Sequence, residues 1–144
     1  MTPRAEKRLL QGVMLVVLLL PATAVIPSIL GGPGFLGHPP VIPTDLDSHF
    51  RYVSGIFLAV LLLFIGCIPA IERNGQRFRM LGGIIVVGGL CRLLSLVTVG
   101  VPSFGHQLGL CAELGLMPLL MLWQARLARR FDGKARDAGG DIGR

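Results

Sequence analysis

Four nearly continuous apolar runs dominate this chain, at residues 9–30, 50–71, 80–99 and 108–127. Crossing a hydrocarbon core takes about 20 helical residues, and each run is that long. Lipid offers no partner to a backbone N–H or C=O, so each run is expected to be helical. The connections are short, so sequential helices should be antiparallel neighbours. The fold class expected is all-α, an integral membrane four-helix bundle spanning residues 9–127. Hydrophobic residues make up 52% of the 144 positions and charged residues 15%, against about 25% charged in ordinary globular domains. A soluble core of this size would not hide so much apolar surface.

The cations orient the bundle. Arg4, Lys7 and Arg8 precede the first run, and Arg73, Arg77 and Arg79 lie between the second and third. Arg126, Arg129, Arg130, Lys134, Arg136 and Arg144 end or follow the fourth. The connections at 31–49 and 100–107 hold no Lys or Arg. This is a positive-inside pattern, which predicts cytoplasmic placement of both termini, with a short leading segment at 1–8 and a flexible tail at 128–144. The net charge of +6 is then an orientation signal and a grip on anionic lipid, not a nucleic-acid surface. Aromatic residues suit interfacial anchoring: Phe50, Tyr52 and Phe104 at the outer boundary, Phe78, Trp123 and Phe131 at the inner one. Residues 1–24 resemble a signal peptide ending in Ala22-Thr23-Ala24. The apolar run continues past it, so the segment reads as a retained first helix, kinked at Pro21 and Pro27.

The outer connection 31–49 mixes helix breakers with Phe35, Leu36, Val41 and Ile42, and is expected to fold down as a cap. Its end, "TDLDSHFR", carries a capping pattern from Thr44 to Asp47 that starts the second helix. From there Asp47, Ser48, Arg51, Ser54 and Gly55 follow helical spacing along one stripe. Gly88, Arg92 and Ser95 share a face of the third helix, and His106, Gly109 and Glu113 a face of the fourth. Arg92 lies ~10 Å of helix below the outer end of its run and Glu113 ~9 Å below its own. Matching depth and opposite sign on neighbouring helices predict an Arg92–Glu113 ion pair. An unpaired arginine at mid-helix costs about 2.5–3.5 kcal/mol on the insertion scale, so a carboxylate partner is favoured. A second pair, Asp47–Arg51, is expected at the mouth. Such pairs can serve only to fix helix register. Convergence of polar and small residues at one level instead points to a pocket, with Asp47, Arg51, Ser54, Arg92, Ser95, His106 and Glu113 as candidate ligand contacts. Gly82 and Gly89, seven apart, suit close helix packing.

No chemistry-bearing motif intrudes. Cys67, Cys91 and Cys111 are odd in number and lack metal or disulfide spacing, so they read as buried small hydrophobes. His38, His49 and His106 have no ligand spacing. P-loop, GxGxxG, HExxH, GxSxG and haem-attachment patterns are all missing. No metal or cofactor is therefore expected.

The Asp47, Arg51 and Tyr52 pattern, the Gly88, Gly89 and Arg92 pattern, and the series Glu113, Pro118, Trp123, Gln124 and Arg126 resemble a family of small bacterial membrane proteins. That family is catalogued as domain of unknown function 4345. The resemblance implies a four-helix domain in a bacterial inner membrane, similar in plan to DoxX-type membrane proteins, and architecture alone transfers no function. Three readings follow. In the first, a small ligand or lipid enters the outer half of the bundle, engaged by Arg51 and Arg92, with Glu113 holding Arg92. In the second, the chain is an accessory or assembly subunit of a larger membrane complex and the charges are purely structural. The third, an enzyme using Glu113 as acid or base, ranks last because no nucleophile or cofactor motif supports it.

Overall fold

The structure, a computed structural model, describes residues 1–37 and 41–140, the last seven of these as backbone alone. Four helices are long and apolar enough to cross a membrane, and no strand occurs among the described residues. The first is α1 (Pro3–Gly31), followed by a 3-10 turn (Gly32–Leu36). The second is α2 (Thr44–Cys67), closed by a 3-10 turn (Ile68–Ala70), and the third is α3 (Gly75–Thr98). The fourth comprises α4 (Phe104–Cys111), a π-helical turn (Ala112–Leu116) and α5 (Met117–Gly140).

Helix overruns the apolar runs at several ends. The outer connection expected over 31–49 is helical at 32–36 and again from Thr44. The polar turn "TDLDSHF" extends α2 because the Asp47 N–H bonds the Pro43 carbonyl at 3.0 Å. Phe35, Leu36 and Val41, expected to fold down as a cap, are exposed; His38 lies outside the described residues. Where a tail was expected from 128, α5 continues to Gly140. α1 runs through both Pro21 and Pro27. Each proline leaves the carbonyl four residues earlier without an N–H, which membrane helices tolerate when local groups re-satisfy the backbone. The Thr23 hydroxyl, between the two prolines, donates to the Leu20 carbonyl at 2.7 Å.

Two compact units make up the chain, Val13–Gly66 and Met1–Gly12 with Cys67–Arg144. In the first, Met14, Val25, Val60, Leu61 and Phe64 are buried. In the second, Leu10, Cys67, Ile71, Phe78, Leu120 and Leu127 form the core. Phe78 is thus a core residue and not the interfacial anchor expected. Cys91 and Cys111 are exposed, and Cys67 alone of the three cysteines is buried. Leu19, Ile26, Leu62, Val87, Leu94, Val97, Leu119 and Leu122 are all exposed, as the lipid-facing surfaces of spanning helices require.

Glycine sets how closely α3 meets the fourth helix. A Cβ on Gly82 would stand 2.6 Å from the Met121 sulfur and 3.0 Å from the Met117 methyl. One on Gly89 would stand 2.8 Å from Leu114 Cδ2 and 2.9 Å from Glu113 Cβ. Gly75 completes the series, 3.2 Å from the Gln124 amide nitrogen by the same construction. Rising numbers on α3 meet falling numbers on its neighbour, so the two run antiparallel. The seven-residue repeat of glycines keeps one face of α3 against that neighbour.

Candidate functional site

Close approach at Gly89 places Glu113 beside Arg92. The Arg92 Nε donates to Glu113 Oε2 at 3.0 Å and Nη2 donates to Oε1 at 3.1 Å, a bidentate fork. Bidentate charge-assisted pairs are the strong ones. The Arg92 side chain is still 34% exposed, against 14% for Glu113. Among the described residues nothing accepts a hydrogen bond from Arg92 Nη1.

Glu113 sits in the π-helical turn, where the Met117 N–H reaches back to the Ala112 carbonyl. Pro118 explains that turn. Its ring has no N–H for the Leu114 carbonyl and crowds it in a regular helix. Widening the turn by one residue relieves the crowding, and π turns of this kind recur at functional sites.

Arg51 is bonded differently. Its Nε and Nη2 donate to Asp47 Oδ2 and Oδ1 at 2.8 and 3.2 Å. Its Nη1 donates to the carbonyls of Ile29 and Leu30, the latter at 3.0 Å. Those carbonyls are at the C-terminus of α1, where no intrahelical donor remains. All three guanidinium nitrogens of Arg51 therefore engage the protein. Gly32 makes this possible. It has φ +59°, and the Asp47 carboxylate and Arg51 Nη2 fill the space a side chain would take.

The other candidates are spread out. Ser54 is buried and its hydroxyl donates to the Phe50 carbonyl at 2.7 Å. Ser95 is exposed, and its carbonyl accepts the Val99 N–H that closes α3. His106 Nδ1 meets the Ser103 hydroxyl at 2.9 Å. No group of three or more metal-capable side chains occurs among the described residues.

A polar network at the opposite, basic end escaped the sequence reading. Glu6 is buried and accepts from Trp123 Nε1 at 3.2 Å and from Arg130. Lys7 pairs with Glu72, its Nζ 2.9 Å from Oε1 and 2.8 Å from Oε2. Burial alone would push the Glu72 carboxyl up. The Lys7 ammonium, the residue's own backbone N–H and the charge of Arg73 outweigh burial and hold the carboxyl below the usual glutamate range. Gln11 Nε2 donates to the Ile68 carbonyl at 2.7 Å. Gln124, fully buried, donates to the Ile71 carbonyl at 2.8 Å while its Oε1 accepts no bond from the described residues. These side chains tie the start of α1 and the segment after α2 to α5.

The family model described as "Domain of unknown function (DUF4345)" matches residues 8–124. No curated protein and no solved structure matches the chain. The matched region contains Arg92, Glu113, Pro118, Trp123 and Gln124, each with a contact or backbone role described above, and the chain belongs to the DUF4345 family.

Proposed function

We propose that the protein is a multi-pass inner-membrane binding protein whose ligand is a small lipophilic molecule or lipid with an anionic or carbonyl group. On this reading both termini are cytoplasmic, and Arg92 contacts the ligand in the outer leaflet. One observation carries the reading. The fork to Glu113 uses two of the three guanidinium nitrogens and leaves Nη1, on a half-buried side chain, without an acceptor among the described residues. In hydrocarbon such a donor is costly, and a ligand oxygen would satisfy it. Glu113 fixes the guanidinium plane, and the π turn fixes Glu113. Ser95, three residues from Arg92 on the same helix, offers a second polar contact. Arg51 and Asp47, initially candidate ligand contacts, are assigned to holding the end of α1, because no guanidinium nitrogen of Arg51 is left over.

Native mass spectrometry of the full chain, gently extracted from its membrane, tests this. A bound small molecule of defined mass is expected. Protein that carries no small molecule but brings a stoichiometric partner chain would overturn the proposal in favour of an assembly subunit.

A further inference from the structure

A second site lies at the basic end of α3, independent of the reading at Arg92. Arg73, Arg79 and Arg129 line an open cleft together with the first residues of α3. We propose that this cleft binds the phosphate of an anionic phospholipid headgroup.

Three features support it. The first is charge. Two carboxylates, Glu72 and Asp132, also line the cleft, but Glu72 is committed to Lys7. Neither Arg73 nor Arg79 has an ion-pair partner among the described residues. Arg129 spends its Nε on the Ala125 carbonyl of its own helix, at 3.3 Å. An orientation signal needs only charge on one side, whereas here three guanidinium groups border one recess. The second is the start of α3. Asn74 is the N-cap residue, yet it makes no side-chain cap; its amide donates to the Cys67 carbonyl at 3.2 Å. The first N–H groups of α3 are therefore left uncapped beside the arginines, and helix N-termini favour phosphate. Gly75 lets the Arg79 guanidinium lie close to this end of α3, its Nη1 3.1 Å from where a Cβ would be. The third is position. Arg79 is followed directly by exposed Met80, where the apolar run of α3 begins, and Phe131, Ala125 and Ala128 supply an apolar wall. A phosphate bound there sits at the boundary between headgroup and hydrocarbon, with a surface for the lipid's glycerol and first methylenes.

The experiment uses the full chain in mild detergent, with phosphatidylglycerol or phosphatidylcholine titrated in and retention read by native mass spectrometry. Wild type is expected to retain phosphatidylglycerol over phosphatidylcholine. Arg79→Gln/Arg129→Gln should lower that retention roughly 25-fold, since each basic group near an anionic membrane surface contributes a factor of about five. Arg77→Gln/Arg126→Gln removes the same charge from outside the cleft and should leave retention near wild type. Ala128→Glu, which puts a carboxylate in the cleft, should reproduce the loss without touching an arginine. Equal loss in both arginine pairs would overturn the proposal in favour of diffuse attraction, as would equal retention of the two lipids. Displacement of phosphatidylglycerol by millimolar inorganic phosphate or glycerol phosphate would overturn the lipid source in favour of a soluble phosphate ligand.

Discussion

Replacing Gly89 with alanine tests the packing that brings Glu113 to Arg92. The new Cβ would stand 2.8 Å from Leu114 Cδ2, 2.9 Å from Glu113 Cβ and 3.0 Å from Leu114 Cγ. Leu114 Cδ2 is the end of a side chain and can rotate. Glu113 Cβ is fixed to its helix, so the helices must part by several tenths of an ångström. Overpacking of this kind costs about 1–3 kcal/mol. Alanine also gains up to about 1 kcal/mol over glycine in a helix interior. The net expectation is a destabilisation of about 1–2 kcal/mol, with Glu113 drawn away from the 3.0 and 3.1 Å fork. Gly88→Ala is the control, because nothing lies within 4 Å of its added Cβ; it should be neutral or slightly stabilising. Unfolding in mixed micelles, followed through Trp123 fluorescence, gives the comparison. If Gly89→Ala is as stable as Gly88→Ala, the argument from close approach is wrong.

Three further outcomes are expected. Gly32→Ala should destabilise the chain by about 1–3 kcal/mol, from a left-handed backbone and displacement of the Asp47–Arg51 pair, and thermal melts against Gly37→Ala, an open position, would show it. Gln124→Leu should cost about 1–3 kcal/mol, because the buried Ile71 carbonyl loses its donor, whereas Arg126→Gln on the exposed side of the same helix should be near neutral by the same melt. The depressed Glu72 carboxyl stabilises the folded chain above the unfolded glutamate value of about 4.3 and loses that effect as pH falls through its lower folded value. The stability gap between wild type and Glu72→Gln should therefore be full at neutral pH and close on acidification below about pH 4.3; a gap unchanged in acid would contradict the Lys7–Glu72 pairing.

Much of this was legible in the residues, for identifiable reasons. Apolar run length alone defines the four spans, because lipid forces every such run into helix. Arg92 and Glu113 could be matched by counting rise along two neighbouring helices, since both are charged, intramembrane and joined through a short connection. Gly82 and Gly89 announced packing by their seven-residue spacing, yet Gly75 was missed because it precedes the apolar run. The basic end was misread for a different reason. Lys7 and Arg130 each fit a topology signal, and Trp123 fits an interfacial anchor, so nothing in local sequence distinguishes them from residues that also make tertiary bonds. Their partners lie 65 to 124 positions away. Buried Gln124 offered a signal, a neutral polar residue amid apolar helix, and Pro118 offered another for the π turn. The start of α2 at Thr44 was legible in the capping pattern from Thr44 to Asp47, although the apolar run begins only at Phe50, because a helix that leaves the membrane loses its apolar pattern without losing its hydrogen bonds.

On this proposal Arg92 offers a ligand its Nη1, the guanidinium nitrogen with no acceptor among the described residues, and Glu113 only positions it. The charge exchange Arg92→Glu/Glu113→Arg preserves the pair while moving the guanidinium to the other helix. Native mass spectrometry and a thermal melt on the same exchanged protein measure ligand and fold together. The expected result is a chain that melts near wild type and carries no bound small molecule. An exchanged chain that melts near wild type and still carries the wild-type ligand would contradict it.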